Sequence, residues 1–233
     1  MPDTSNSLSP EDLLGPLNDV ERKHAPATLY VAGDVDLLRN AARVSIVGSR
    51  KASPDGLKRA RKLSAMLCRE NVVVVSGLAE GIDTAAHLAA VESGGRTAAV
   101  IGTPLDRFYP KPNAALQRRL MAEHLVVSQF PPGYPTQPKN FPIRNRTMAL
   151  ISDATVIVEA GESSGSLSQG WEALRLGRQL YIARSVVENP ALTWPAKMLG
   201  YGASVLTDET FEDLMLALPH RGLLLEAGGA APF

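Results

Sequence analysis

Short runs of apolar residues, many of them β-branched, alternate along the chain with segments of helical periodicity. The apolar runs predict seven strands, at residues 44–47, 72–75, 97–101, 125–127, 155–158, 179–182 and 204–206. The segments between them predict six helices, at residues 55–69, 80–92, 113–123, 143–151, 167–176 and 192–200. Continuously apolar strands are buried on both faces, as in a parallel sheet. The alternation therefore predicts one α/β domain with a doubly wound, mainly parallel sheet.

The two ends of the chain lack this pattern. Residues 1–26 contain Pro, Ser and Asn around one short apolar patch, so we expect a flexible leader with about one helical turn. The domain is expected over 27–227, and residues 228–233 predict a disordered tail. The leader lacks the basic and apolar blocks of a signal peptide, and no run reaches the roughly 18 apolar residues of a membrane span. We therefore expect a cytoplasmic protein with no membrane partner.

Composition excludes two classes of protein and leaves a nucleic-acid partner open. The chain has one cysteine, Cys68, which excludes an internal disulfide framework and a multi-cysteine zinc site. Lys plus Arg and Asp plus Glu number 24 each, so the formal net charge is zero. A nucleic-acid partner must therefore be recognised from local charge. We expect neither a metal nor a cofactor.

The turn after the first predicted strand has the composition of a phosphate site. Gly48 permits close backbone approach, Ser49 offers a hydroxyl, and Arg50 and Lys51 add positive charge. Free amides at the start of the next helix favour an anion as well. The alternative is a tight turn with two solvated cations, because the G-x-G-x-x-G fingerprint is incomplete.

The helix that follows is amphipathic. Its apolar arc holds Leu57, Ala60, Leu63, Ser64 and Leu67, and its opposite arc holds Lys58, Arg59, Arg61 and Lys62. Residues 43–62 contain seven cations against one anion. This single-sign face predicts a nucleic-acid track, with an ordinary solvated face as the alternative.

The second turn joins Ser76 and Gly77 to a helix that carries Asp83 and His87. Asp83 and His87 lie four residues apart on one helical face, where we expect them to orient the loop. A catalytic triad with Ser76 is conceivable, but no G-x-S-x-G motif surrounds this serine.

Two further segments carry candidate binding residues. Residues 137–146 hold three cations, no acid, and the polar and aromatic residues Asn140, Phe141, Arg144, Asn145 and Arg146. An exposed aromatic ring beside arginines suits single-stranded nucleic acid, whereas a core position for Phe141 is the alternative. After the fifth strand, Ser164, Gly165 and Ser166 predict an anion nest bracketed by Glu159 and Glu172.

Taken in order, these motifs resemble the DprA/Smf family of DNA-processing proteins over residues 28–207. The matching motifs are Ile46-Val-Gly-Ser-Arg50, Ser76-Gly-Leu-Ala-x-Gly-Ile-Asp-x-Ala-Ala-His87, Ile101-Gly-Thr-x-Leu-Asp106, Ser128-x-Phe-Pro-Pro-Gly133, Asn140-Phe-Pro-x-Arg-Asn-Arg146 and Ser164-Gly-Ser-Leu167. The resemblance implies an extended Rossmann-like domain that binds single-stranded DNA as a homodimer and helps to load RecA during transformation.

Carried over position by position, the resemblance implies a DNA pocket of fourteen residues. They are Gly48, Ser49, Arg50, Lys51, Ser76, Gly77, Asn140, Phe141, Arg144, Asn145, Arg146, Ser164, Gly165 and Ser166. Asp83, His87 and Glu159 are expected to orient this pocket.

The chain departs from the family pattern at one edge of the expected pocket. Gln129 stands where the family has Glu, Ser168-Gln-Gly-Trp-Glu-Ala173 replaces Ile-Thr-Ala, and Ile182-Ala-Arg184 replaces Val-Pro-Gly. We also expect the leader and tail to be too short for the small helical and winged-helix-like domains that the resemblance implies for other members. These departures bear on RecA loading more than on the fold.

Two other function classes stay open. The superfamily includes LOG-like enzymes that release a base from a nucleoside monophosphate, and here Glu172 is the catalytic candidate for such an enzyme or a nucleotide sensor. The P-G-G-x-G-T-x-x-E signature is absent, and Glu172 paired with Arg175 is the alternative. The third class is a partner-binding module with a face near Leu120 or the 194–201 segment.

Overall fold

A computed structural model describes residues 6–219, which form one nine-stranded sheet covered by helices. The strands are β1 (Asn6–Leu8), β2 (Leu29–Gly33), β3 (Arg43–Gly48), β4 (Val73–Ser76), β5 (Thr97–Ile101), β6 (Leu125–Ser128), β7 (Ala154–Glu159), β8 (Gln179–Ala183) and β9 (Ser204–Leu206). Their order across the sheet is β1-β2-β6-β5-β4-β3-β7-β8-β9. Strands β3 to β9 pair in parallel, and only the β1–β2 and β2–β6 pairs are antiparallel among the described residues.

Ten α-helices connect or flank these strands within the described residues. They are α1 (Pro10–Leu14), α2 (Asp19–His24), α3 (Pro54–Arg69), α4 (Ile82–Glu92), α5 (Ala114–Glu123), α6 (Asn140–Ile151), α7 (Leu167–Arg175), α8 (Arg184–Val187), α9 (Trp194–Gly200) and α10 (Phe211–Ala217). The seven predicted strands and six predicted helices are all confirmed, with ends that agree within three residues. The prediction missed β1, β2, α2, α8 and α10, and it gave α1 only as about one helical turn within a flexible leader.

The flexible leader expected over residues 1–26 is wrong from residue 6 onward. Two capping boxes begin its helices, one between Ser9 and Asp12 and the other between Asn18 and Glu21. Because each box satisfies two backbone amides reciprocally, it stabilises helices as short as these. Leu13 is fully buried in the core, so the segment packs against the sheet. Residues 1–5 and the predicted tail at 228–233 lie outside the described residues.

The core lies on both faces of the sheet, as continuously apolar strands predict. On one face, Val44 and Ile46 of β3 pack in a cluster with residues of α3 and α4. On the other, Val47 joins a cluster that includes Met148 of α6 and Trp194 of α9. Strand β3 is therefore covered from both sides and forms the centre of a three-layer domain.

The strand order creates a switch point between β3 and β7. From β3 the chain adds β4, β5 and β6 on one side, and it then crosses to add β7, β8 and β9 on the other. Adjacent strands whose connections depart in opposite directions leave a crevice outside their carboxyl ends. In this chain the crevice lies between the loops that follow Gly48 and Glu159.

Candidate nucleic-acid interface

The crevice at the switch point is a cavity of about 520 Å³. Its lining comes from the loop after β3, the loop after β4 with the first turn of α4, the first turns of α6, and the loop between β7 and α7. The predicted residues that line it are Gly48, Ser49, Arg50, Lys51, Asp83, Phe141, Arg144, Asn145, Ser164, Gly165 and Ser166. Segments far apart in sequence thus converge where the topology predicts a ligand.

The loop after β3 is held against β7 by backbone contacts. The Ser49 amide donates to the Glu159 carbonyl at 2.7 Å, and the Lys51 amide donates to the Ser49 hydroxyl at 3.1 Å. A Cβ at Gly48 would lie 2.7 Å from the Glu159 carbonyl oxygen, so this approach requires glycine. Arg50 and Lys51 are exposed, and neither has an ion pair among the described residues.

The Glu159 carboxylate holds Ser53, the N-cap residue of the next helix. Its Oε1 accepts the Ser53 amide at 2.8 Å, and its Oε2 accepts the Ser53 hydroxyl at 2.5 Å and an Arg59 N–H at 3.4 Å. A Cβ at Gly56 would overlap this carboxylate. The Gly56 amide donates to the Ser53 hydroxyl at 3.0 Å, so this amide is not free as expected, and the Glu159 carboxylate already places a negative charge at the helix start.

Arg144 is a buried cation at the base of the crevice. Its Nη1 donates to the Val100 carbonyl at 2.7 Å, whereas its Nε has no hydrogen-bond partner among the described residues. Burial lowers the pKa of the guanidinium, and the nearby Asp83 carboxylate opposes that shift. Burial likewise raises the pKa of Asp83, and Arg144 opposes that shift in turn. The two buried charges thus compensate each other below the cavity.

Phe141 is half-buried between polar and aromatic neighbours. A Cβ at Gly102 would lie 2.7 Å from the ring, so the absence of a side chain there leaves room for Phe141. The Tyr109 ring centroid is 5.7 Å away, and the Arg50 guanidinium carbon lies 5.4 Å from the Phe141 ring centroid. Sequence analysis left an exposed binding position and a core position open for Phe141. The ring has features of both, since it packs near Gly102 and Tyr109 and also lines the cavity.

The Ser-Gly-Ser loop is shaped by α6. The Asn145 amide nitrogen donates to the Gly165 carbonyl at 3.2 Å and to the Ser168 hydroxyl at 2.6 Å. The Ser164 and Ser166 hydroxyls lie 2.7 Å apart, which presents two adjacent hydroxyl groups to the cavity. One of these hydroxyls donates to the other, so the pair keeps one O–H that can donate to an anion beside the exposed Gly165.

A family model described as DNA recombination-mediator protein A matches residues 10–218 of the chain. The chain belongs to this family. The DNA processing proteins DprA of Bacillus subtilis (strain 168) and Streptococcus pneumoniae (strain ATCC BAA-255 / R6) are 33% and 41% identical over 198 and 194 residues. These matches cover 85% and 80% of this chain, and 66% and 68% of the two relatives. The resemblance to DprA/Smf proteins is confirmed, and the chain spans about two thirds of these relatives' length.

Solved structures of this family share the fold. The X-ray structure of DprA from Streptococcus pneumoniae matches with a TM-score of 0.79 at 35% identity, covering 93% of this chain and 75% of that chain. A Helicobacter pylori DprA structure matches with a TM-score of 0.77 at 24% identity, covering 91% and 95%. The predicted Rossmann-like α/β domain is thus confirmed.

Several predicted residues of this DprA/Smf chain lie away from the crevice lining. The buried Ser76 hydroxyl donates to the Ile46 carbonyl at 2.7 Å, and the Asn140 amide nitrogen donates to the Pro135 carbonyl at 3.0 Å. Gly77 instead lines a neighbouring cavity of about 50 Å³ with Arg50 and Phe141. Ser76 and Asn140 therefore shape the segments around the crevice.

The contacts of His87 differ from those of a catalytic triad. Its Nδ1 lies 2.7 Å from the Thr97 hydroxyl, which donates its own proton to the Val74 carbonyl. Nδ1 is therefore the protonated ring nitrogen, and the buried Nε2 has no hydrogen-bond partner among the described residues. Burial is the main cause that lowers the pKa of His87 to about 3. The Ser76 hydroxyl donates to the Ile46 carbonyl while His87 Nδ1 donates to the Thr97 hydroxyl, and both residues lie in the core.

Arg146 and Glu172 form a surface ion-pair cluster outside the crevice. Arg146 Nε donates to Glu172 Oε1 at 3.1 Å, and Arg175 donates to the other carboxylate oxygen. Glu172 is therefore engaged by two arginines, as the alternative interpretation of this residue expects. This arrangement differs from a carboxylate directed at a ribose in the crevice.

The basic face of α3 is largely neutralised by acids from distant parts of the chain. Arg59 pairs with Glu159, Arg61 with Glu92, and Lys62 with Asp208, while buried Arg43 pairs with Asp153. The predicted single-sign track is therefore wrong, because its acidic partners lie 31 to 146 positions away in sequence. Of the seven cations, Arg50, Lys51 and Lys58 have no ion pair with the described residues.

The described residues hold no group of three or more His, Cys, Asp or Glu side chains placed to bind a metal ion. Among the same residues, no helix is long and apolar enough to cross a membrane.

Proposed function

We propose that the crevice between β3 and β7 binds single-stranded DNA. The observation that carries the proposal is the convergence of Arg50, Lys51, Phe141 and Arg144 with the Ser-Gly-Ser loop at one cavity. Single-strand sites combine a positively charged groove with aromatic rings on which bases stack. The crevice supplies both from segments that approach each other only in the fold.

The roles of the side chains follow from their exposure. Arg50 and Lys51 are exposed and without ion pairs among the described residues, so they suit phosphate oxygens. The Phe141 ring lines the cavity and suits base stacking, and the Arg50 guanidinium carbon lies over this ring at 5.4 Å from its centroid. Because one of the Ser164 and Ser166 hydroxyls donates to the other, the pair keeps one O–H as a neutral donor to a second phosphate.

The relatives support this assignment. The Helicobacter pylori structure gives insight into the single-stranded DNA binding mode of that protein. The curated relatives are named as DNA processing proteins, which fits a crevice suited to a charged polymer. We extend the proposal to a cytoplasmic homodimer that presents single-stranded DNA to a RecA-like recombinase during transformation or recombination.

The experiment that tests the proposal is a fluorescence-anisotropy titration with a labelled single-stranded oligonucleotide at two salt concentrations. Salt-sensitive binding that free mononucleotides fail to displace supports the proposal, because phosphate contacts release counterions. Efficient displacement by a mononucleotide would favour a nucleotide sensor instead. No observation favours the LOG-like enzyme, since Glu172 is held by Arg146 and Arg175.

A further inference from the structure

The turn after β4 contains an apolar residue in the left-handed region of backbone conformation. Leu78 has a φ of 58° and is fully buried. A residue with a bulky side chain rarely adopts this conformation, because its Cβ crowds the neighbouring carbonyl oxygen. Such a conformation persists where the surrounding contacts determine it, and it is common beside binding sites. The contacts that hold Leu78 therefore bear on the crevice next to this turn.

The same turn packs against the two segments that supply arginines to the crevice. A Cβ at Gly81 would overlap the carbonyl oxygens of Ser49 and Arg50, so one end of the turn contacts the loop after β3. A Cβ at Gly77 would overlap the Arg144 guanidinium, so the other end contacts α6. The conformation of this one turn thus sets the positions of two arginines from separate parts of the chain.

Asn113, immediately before α5, binds this turn through its side-chain amide. Its Nδ2 donates to the Leu78 carbonyl at 2.9 Å and to the Thr84 hydroxyl oxygen at 2.8 Å. The Thr84 hydroxyl in turn donates to the Ala79 carbonyl at 2.7 Å. Because the Leu78 carbonyl can only accept, the amide nitrogen of Asn113 must face the turn. One side chain therefore connects three residues of the segment that follows β4.

The position of Asn113 at the start of α5 makes this use of its side chain unusual. Asparagine is favoured at a helix N-cap because its side-chain oxygen accepts a backbone amide of the first turn. Asn113 occupies the N-cap of α5 but makes no such bond. The residue is buried, and it is absent from the lining of the crevice. Its amide protons thus serve the turn after β4, without contact with the space that a ligand would occupy.

We propose that Asn113 is a positioning residue for the strand-binding crevice, because it holds the turn at residues 77–81 against which Arg50 and Arg144 are placed. Since this role serves the crevice, it rests on the proposed function. Removal of the amide leaves the buried Leu78 carbonyl without its donor, and the turn then relaxes toward commoner backbone angles. Both arginines lose the backbone that fixes them, although Asn113 itself does not contact DNA.

Oligonucleotide affinity and amide hydrogen exchange test this role together. Asn113→Ala should weaken binding of a labelled oligothymidylate about five- to tenfold, because a buried carbonyl loses its donor. The Ile82 amide, which donates to the Ser49 carbonyl at 3.2 Å, should exchange faster with solvent. The matched control is Gln117→Ala, which removes another buried amide, one that donates to the Arg107 carbonyl away from this turn. We expect the control to keep the affinity and the exchange rate of the wild type.

A second variant, Asn113→Asp, separates positioning from a general loss of stability. The carboxylate has the shape of the amide, but when ionised it cannot donate to the Leu78 carbonyl. Burial beside a carbonyl oxygen favours the protonated carboxyl group, whose O–H can replace the lost N–H. The affinity of Asn113→Asp, divided by that of the wild type at the same pH, should therefore recover between about pH 7 and about pH 5. Asn113→Ala should show no such recovery.

Three results would overturn the proposed role of Asn113. They are wild-type affinity in Asn113→Ala, a loss of affinity equal to that in Gln117→Ala, and a relative affinity of Asn113→Asp that stays constant with pH. If the wild type binds no oligonucleotide, the proposed function fails, and the exchange rate of the Ile82 amide alone decides whether Asn113 holds the turn.

Discussion

Gly77 provides the space that the Arg144 guanidinium occupies. A Cβ at Gly77 would overlap three atoms of that guanidinium. The Arg144 side chain has little room to move away, because it is buried and hydrogen-bonded to the Val100 carbonyl. The glycine in the second turn thus sets the position of a cation that follows it by 67 residues in the chain. This contact between Gly77 and Arg144 joins the turn after β4 to the first turns of α6.

Gly77→Ala should displace Arg144 and lower the free energy of unfolding by about 1–3 kcal/mol, the usual cost of overpacking a tight site. It should also weaken oligonucleotide binding. Urea unfolding and anisotropy measure the two effects. Gly200→Ala is the control, because a Cβ there meets no atom within 4 Å and its backbone angles suit any residue. Equal stability of the two variants would contradict the proposed packing of Arg144.

Phe141→Ala should weaken single-stranded DNA binding by about 1–3 kcal/mol, the contribution of one base stacked on an aromatic ring. Phe108→Ala is a matched control, because the Arg118 guanidinium carbon lies 4.3 Å from that ring centroid, outside the crevice lining. Anisotropy titrations at one salt concentration compare the two variants. An equal loss of affinity in both would show that aromatic packing in general, rather than the crevice ring, is responsible.

Glu159→Gln should lower the free energy of unfolding by about 1–2 kcal/mol, because the amide loses the charge-assisted bonds to Ser53 and Arg59. The loop from Gly48 to Ser53 should become more mobile, and hydrogen exchange of its amides should accelerate. Glu123→Gln, which removes an exposed partner of Arg119, should leave both quantities nearly unchanged. Unaltered exchange in the Glu159 variant would disprove the role of this carboxylate in holding Ser53.

His87 should make the protein less stable in mild acid. Its folded-state pKa of about 3 lies below the ordinary value of 6.5, so the unfolded chain binds a proton that the folded chain rejects. Below about pH 6.5 the free energy of unfolding should therefore fall by about 1.4 kcal/mol per pH unit from this group alone. Asp83 acts in the opposite sense, since burial raises its pKa and protonation relieves its charge.

The measurement is urea unfolding between pH 7 and about pH 4, for wild type and His87→Gln. The variant has no titrating ring, so its stability should depend less steeply on pH. If the free energy of unfolding depends on pH equally steeply in the two proteins, protonation of His87 does not contribute to the acid sensitivity of folding.

The sequence predicts the sheet well because the signals are local. Each strand between β3 and β9 is a continuous apolar run, and that pattern alone predicts a strand buried on both faces. The N-terminal helices could also have been predicted, since the spacings Ser9 to Asp12 and Asn18 to Glu21 are capping-box spacings. They were missed because the segment is polar and offers few apolar positions.

The site was predicted less completely because its chemistry depends on distant partners. Arg59, Arg61 and Lys62 form a basic face in sequence, yet Glu159, Glu92 and Asp208 neutralise it in the fold. The motif Asn140–Arg146 places its residues on different sides of one helix. Arg144 faces the crevice while Arg146 faces Glu172, and a helical turn of 3.6 residues separates them by about 200°.

The central claim is that exposed cations in the crevice bind the phosphates of a single strand. Its most direct test compares Arg50→Ala with Lys58→Ala in anisotropy titrations across salt concentrations. Both residues are exposed cations without an ion pair among the described residues, but only Arg50 lines the cavity. We expect Arg50→Ala to weaken binding to all sequences and to lower the salt slope by about one, while Lys58→Ala changes neither. Wild-type affinity and salt slope in Arg50→Ala would contradict it.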